Sequence, residues 1–194
     1  MNTSSRLRSA LFALTVTIAF AATGCATETA DEGDGDEPIG SVSDALTGTC
    51  NLPRSTILAS ASADRRNAIE RGFKWFDKNV SYSQSRYYEG YRTDCSGFIS
   101  MCWQLGTSYT TANFINDGPT WDKLSSYDSL KPGDALVRRS NGAGHIVLFL
   151  GWNPGGQSAC VLEQASTAAD MEFGSRSRSS LLGSGYRPIR ASRF

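Results

Sequence analysis

The sequence contains only one histidine, His145, among its 194 residues. A zinc site takes several Cys and His ligands at short, fixed spacings, and the five cysteines show no such spacing. We therefore expect neither a metal ion nor another cofactor. A single imidazole also means that acid–base chemistry through histidine has one candidate.

The start of the sequence lacks an apolar run long enough to cross a bilayer, because the run over residues 11–22 is too short. Two arginines precede that run, so residues 1–24 have the layout of a secretory signal. The segment Ala22-Thr23-Gly24-Cys25 resembles a bacterial lipobox, although leucine is usual where Ala22 stands. Lipidation of Cys25 would hold an exported protein at a membrane surface of the cell envelope, periplasmic or extracellular. The alternative is ordinary cleavage nearby, which leaves Cys25 without a role.

Between Cys25 and Leu46 there is no Lys or Arg, while seven acidic residues occur there. They are Glu28, Asp31, Glu32, Asp34, Asp36, Glu37 and Asp44. Such a segment buries too little apolar surface to offset its ordering entropy. We therefore predict a disordered acidic tether over residues 25–49 and one folded domain over residues 50–194.

The predicted domain carries 17 Lys and Arg against 12 Asp and Glu, whereas the whole chain is neutral. This excess predicts attraction to an anionic envelope polymer, or only a scatter of solvated arginines. Basic runs such as Arg176-Ser177-Arg178 are too thin to indicate nucleic-acid binding. We expect a monomer.

The domain has four cysteines, Cys50, Cys95, Cys102 and Cys160, and export permits disulfides. If Cys95 must stay a thiol, at most one pair can form. Cys102 follows on an apolar helix face and is typical of a small buried hydrophobe. The remaining pair, Cys50 and Cys160, is a candidate disulfide.

The order of secondary-structure patterns is helices first and strands second. A helical pattern covers 62–80, and a second helix begins near Cys95 and is expected to end at Gly106. Strands are predicted over 135–138, 145–150, 159–164 and 186–189. This order favours an α+β fold, with N-terminal helices packed on one face of a small antiparallel sheet.

Cys95 has the sequence context of an activated nucleophile. Thr93 or Asp94 can cap the helix that begins there, so Cys95 falls in the first turn, where the helix dipole favours a thiolate. With His145 as base, the pair is sufficient for cysteine-based acyl transfer.

Three segments of the chain resemble the NlpC-type cell-wall peptidases. They are Asp94-Cys95-Ser96-Gly97-Phe98, Lys131-Pro132-Gly133-Asp134, and Gly144-His145 at the start of a predicted strand. The NlpC-type peptidases are compact papain-like cysteine hydrolases that cut peptidoglycan peptides. The likeness covers about the last two-thirds of the chain. It implies a papain-like fold, with Cys95 as nucleophile and His145 as base.

The resemblance also implies a third polar group that orients His145, on the strand paired with its own. In the family a small residue usually follows the orienting group, which favours Gln164. A carboxylate would stabilise an imidazolium better than an amide, which favours Glu163. These neighbours point to opposite faces of a strand, so only one can serve, and the family pattern tips the choice slightly towards Gln164.

Further candidates lie around the nucleophile. The Cys95 amide and Tyr82 are candidate oxyanion donors, although Tyr82 can equally be a half-buried loop aromatic. Asp94 is either a helix cap or a contact for the free amine of a peptide, and Ser96 adjoins the same site.

We expect a secreted enzyme that cleaves an amide bond in peptidoglycan stem peptides. One alternative keeps the Cys–His pair but changes the acyl group, as in a papain-like amidase, acyltransferase or toxin-like effector. Another is a catalytically inactive lipoprotein that binds wall fragments.

Overall fold

The computed structural model describes residues 45–194. The predicted signal segment, Cys25 and the predicted tether as far as residue 44 lie outside the described residues. Within the described range no helix combines the length and apolar character needed to cross a membrane.

Helices are concentrated before residue 115. They are α1 (Arg54–Ala59), α2 (Ala63–Asp77), α3 (Cys95–Cys102), α4 (Thr111–Phe114) and, later in the chain, α5 (Arg178–Gly183). The strands β1 (Tyr87–Tyr88) and β2 (Tyr91–Arg92) form a small hairpin directly before α3.

The main sheet has six antiparallel strands in the order β3-β8-β4-β5-β6-β7. Their bounds are β3 (Trp121–Lys123), β4 (Ala135–Ser140), β5 (Ala143–Trp152), β6 (Ser158–Ser166), β7 (Asp170–Ser177) and β8 (Arg187–Ala191). The predicted α+β class is confirmed, and so is the packing of N-terminal helices on one sheet face. Strands β3 and β7 were not predicted.

Side-chain alternation divides β5 and β6 between two cores. Ile146, Leu148 and Leu162 belong to the larger cluster, which includes residues of α2 and α3. Val147 and Val161 belong to a second cluster on the other face. His145 alternates with Ile146, and Glu163 with Leu162, so both share the face of the second cluster.

Helix α3 begins and ends through specific caps. The Asp94 carboxylate accepts a hydrogen bond from the Gly97 amide at 2.6 Å, which fixes the start. The helix ends at Cys102, and Gln104 takes a left-handed φ of 47° while the Leu105 amide donates to the Ser100 carbonyl. This is a Schellman termination, so the prediction that Gly106 ends the helix was wrong.

The start of the described chain is attached to the sheet. The predicted disulfide is confirmed, because Cys50 and Cys160 are bonded across 110 residues. Gly48 also pairs with Ser175 of β7, and Leu46 packs on the second cluster. Contacts with the domain thus begin before Cys50, where the sequence placed its boundary.

Candidate active site

Cys95 is the first residue of α3, directly after the capping residue Asp94. It is 5% exposed and is not part of a disulfide. The first amides of a helix have no intrahelical partner, and their partial positive charge favours an anionic sulfur. Cys95 therefore lies in the first turn, as the sequence predicted, and the activation of its thiol stays a prediction.

The cap of α3 is a buried ionic cluster. Arg92 donates through Nε to Asp94 Oδ2 at 2.5 Å and through Nη2 to the Ser96 hydroxyl at 3.1 Å. Ser96 in turn donates to Asp94 Oδ1 at 3.2 Å. Burial raises the pKa of the Asp94 carboxyl, although Arg92 and the Gly97 amide act against it.

This cluster bears on the two interpretations of Asp94. Its carboxylate is 3% exposed and already bonded to Arg92, Ser96 and the Gly97 amide. The geometry therefore supports the capping role, and it gives the Ser96 side chain a part in the same cap.

His145 lies near the beginning of β5 and contacts Glu163 of the neighbouring strand β6. The distance from His145 Nε2 to Glu163 Oε2 is 2.5 Å, and both side chains are buried. Because a carboxylate only accepts, Nε2 carries the proton in this contact. In the neutral ring Nδ1 then retains its lone pair and is the nitrogen that can accept a proton.

Arg176 of β7 holds Glu163 from the opposite side. Its Nη2 donates to both carboxylate oxygens, at 2.8 and 2.7 Å, and its Nε lies 3.2 Å from Oε1. Burial alone would raise the pKa of Glu163, but His145 and Arg176 together bring that pKa below its ordinary value. The carboxylate is therefore kept ionised between a base and a permanent cation.

Gln164, the other candidate for orienting His145, makes a different contact. Its Nε2 donates to the Val80 carbonyl at 2.8 Å and thereby fixes the segment that follows α2. Its buried Oε1 has no hydrogen-bond partner among the described residues. Of the two neighbours, it is Glu163 that contacts the imidazole.

Tyr82 lies on the segment that Gln164 anchors. It is 7% exposed, and its amide donates to Asp170 at 2.8 Å. The next residue, Ser83, donates from its amide to the Thr93 carbonyl at 3.0 Å. The backbone at Tyr82 is therefore fixed beside the start of α3.

The segment that follows α3 contacts both the residues at the start of α3 and the start of β5. Arg92 donates to the Tyr109 carbonyl at 3.2 Å. Two residues further on, Thr111 lies so close to Gly144 that a Cβ added there would come within 1.9 Å of its hydroxyl. Gly144 is thus required by this contact, and the residue before His145 is fixed to α4, the helix that follows α3.

Sequence reasoning missed Arg176, which it treated as part of a thin basic run. The side chain is 3% exposed, so it is not a solvated arginine. The alternation of Met171 and Phe173 with polar neighbours was the available signal for β7, and it would have placed Arg176 on the opposite face from those two apolar residues.

Among residues 45–194 no group of three or more His, Cys, Asp or Glu side chains is arranged to hold a metal ion.

Comparison with known proteins gives a structural likeness only. No protein-family model matches the chain, and no curated protein matches it. The structure is similar to the crystal structure of the NlpC/p60 domain of peptidoglycan hydrolase SagA, with a TM-score of 0.43 and 19% sequence identity. That match covers 63% of this chain and 96% of the other.

Replacing Glu163 by Gln should remove a contribution to stability that depends on pH. Because the pKa of Glu163 is lowered by folding, its contribution is complete above the ordinary glutamate pKa of about 4.3 and is lost as the pH falls through the folded value. We expect Glu163→Gln to lower the free energy of unfolding by about 3–5 kcal/mol at pH 7, since Arg176 loses its buried partner. The difference should shrink towards pH 3 in denaturant unfolding.

Glu172→Gln is the matched control, because Glu172 pairs with Glu163 across the strands. Burial and the charge of Glu163 raise the pKa of Glu172, so its protonation favours the folded state. Glu172→Gln should therefore make the free energy of unfolding fall more steeply as the pH is lowered. A Glu163→Gln difference that is the same at pH 7 and pH 3 would contradict this account.

Proposed function

We propose that the protein is a cysteine hydrolase that cleaves amide bonds in peptidoglycan stem peptides. Two observations support the proposal: a thiol lies at the first position of α3, and the chain's single histidine is held by a buried carboxylate. Cys95 is the proposed nucleophile, His145 the base, and Glu163 the group that fixes the ring.

In the proposed reaction, His145 Nδ1 accepts the proton of the Cys95 thiol. The sulfur attacks the amide carbonyl, and the tetrahedral intermediate collapses to a thioester as the imidazolium returns the proton to the leaving amine. Water then attacks the thioester with His145 again as base, which yields a carboxylic acid and the free thiol. Glu163 stays ionised throughout and stabilises the imidazolium.

The tetrahedral oxyanion needs hydrogen-bond donors. The backbone amide of Cys95 is one candidate, because first-turn amides point away from the helix at its N-terminus. Tyr82 is the second, and its fixed backbone beside Thr93 supports that role. Asp94 and Ser96 serve the site indirectly, by holding the first turn of α3 in place.

Peptidoglycan is proposed as the substrate for two reasons. The motifs around Cys95, Pro132 and His145 resemble those of the NlpC-type peptidases, and the solved structure similar to this chain is described as a domain of a peptidoglycan hydrolase. An exported protein would meet this polymer in the cell envelope.

Replacing Cys95 by Ala should lower the rate of peptide cleavage at least about a thousandfold, because the nucleophile is lost. Mass spectrometry of purified peptidoglycan fragments after incubation measures this and identifies the bond. Cys102→Ala, in the same helix, is the control and should retain turnover. Cleavage by Cys95→Ala would refute the mechanism, and fragments that bind both proteins without cleavage would indicate a wall-binding protein.

Glu163 and Gln164 should differ in their effect on turnover. We expect Glu163→Gln to reduce kcat by about 10²–10⁴-fold, since the imidazolium loses its counter-ion, and Gln164→Ala to reduce it by less than about tenfold. Steady-state kinetics on the same peptide, with folding checked by circular dichroism, compares them. A larger loss of kcat in Gln164→Ala would assign the orienting role to Gln164 instead.

Lipidation of Cys25 is proposed from the lipobox resemblance, and it would hold the enzyme at a membrane surface. Cys25→Ala should move the protein from the membrane fraction to the soluble fraction in a bacterium that processes lipoproteins. Immunoblots of both fractions measure the change, with Cys102→Ala as control. Unchanged fractionation would rule out the lipid anchor.

A further inference from the structure

A groove of about 440 Å³ opens beside the start of α3. One side comes from the end of α2 and the segment after it, including Lys78 and Val80. The other side comes from Arg86 and the tyrosines of β1, and Thr93 completes the lining. Thr93 is two residues before Cys95, so the groove reaches the backbone segment that leads into the proposed nucleophile.

Backbone hydrogen bonds fix this groove to the nucleophile helix. The Thr93 amide donates to the Arg86 carbonyl at 3.0 Å, and the Thr93 hydroxyl donates to the Ser83 carbonyl at 3.3 Å. The position of Arg86 is therefore coupled directly to the residue before the cap of α3.

The remaining walls are supported from the domain core. Gln164 of β6 holds the Val80 carbonyl, as described above. Tyr88 packs edge-on against the buried Trp75, with ring centroids 5.6 Å apart. Tyr87, by contrast, is 59% exposed and offers an aromatic surface at the rim. The walls of the groove are thus held by the domain core, and the Tyr87 side chain is accessible at its rim.

The charge of the groove is positive. Lys78 and Arg86 are both exposed, and among the residues that the structure describes no acidic side chain contributes to the lining. Within residues 45–194 neither cation forms an ion pair. Glu89, whose pKa Lys78 helps to lower, is bonded instead to Lys74 at 2.6 Å. Two cations thus remain at the groove without a carboxylate of the domain bonded to them.

We propose that this groove is a substrate subsite that binds a carboxylate of the peptide, next to the amide bond under attack. An ammonium and a guanidinium favour a carboxylate over a neutral carboxamide, because hydrogen bonds between charged groups are the stronger ones. The apolar surface of Tyr87 and Tyr88 would contact the aliphatic stem that carries the acid. This inference rests on the proposed hydrolase function and adds a preference for acidic peptides.

The test compares two stem peptides that differ only in whether their free carboxyl groups are carboxylates or carboxamides. With the full chain, we expect kcat/KM to be roughly tenfold or more higher for the carboxylate peptide. Arg86→Gln and Lys78→Gln should each remove most of this preference by raising KM for the carboxylate peptide, and leave the carboxamide peptide unaffected. Lys131→Gln removes an exposed charge outside the groove and should keep the preference.

Equal cleavage of both peptides by the wild type, or equal losses on both in the variants, would overturn the subsite. If neither peptide is cleaved, the hydrolase proposal fails. Calorimetric titration of Cys95→Ala with each of the two peptides then tests the subsite separately from catalysis. Tighter binding of the carboxylate peptide that Arg86→Gln abolishes in this background would support it. Equal binding of the two peptides would overturn it.

Discussion

A carboxylate buried in the middle of a sheet is costly to keep ionised, and Glu163 is kept ionised by a neighbour on each side. His145 of β5 donates to one oxygen, and Arg176 of β7 donates to both. Three adjacent strands must therefore keep their register for the contact to exist. Burial by itself would favour the protonated acid, which stabilises an imidazolium poorly, and His145 and Arg176 together oppose it. The proposed chemistry of His145 thus depends on a side chain that need not touch the substrate.

The same pairing of a buried carboxylate with arginine recurs at two other places in the domain. Arg92 and Asp94 fix the first turn of α3, where the thiol lies. Asp134, in the turn before β4, is held by Arg65 of α2 and Arg190 of β8. Each pair joins elements that are distant from one another or sets a helix terminus. Such pairs contribute position rather than much net stability, because the cost of desolvation offsets the attraction.

Much of this arrangement could be predicted from short-range patterns. The apolar runs predicted the two longest helices and the central strands, and the Asp-Cys-Ser-Gly motif predicted the cap and the position of the thiol. The choice between Glu163 and Gln164 could not be made, because alternation says that they face opposite ways but not which face carries His145. Arg176 was missed because its role depends on the pairing of β7 with β6, and strand pairing between segments is not a local property. Gln104, which follows the end of α3, has a positive φ that non-glycine residues rarely adopt. The residue type therefore did not predict where the helix ends.

The central claim is that the contact between His145 and Glu163 activates the Cys95 thiol. The rate of alkylation of Cys95 by iodoacetamide near neutral pH, followed by mass spectrometry of the labelled peptide, tests it without any assumption about substrate. The account predicts that Cys95 reacts faster than free cysteine, which is only a few per cent thiolate at pH 7, and that Glu163→Gln slows the reaction. A Cys95 that reacts no faster than free cysteine, or at the same rate with and without Glu163, would contradict it.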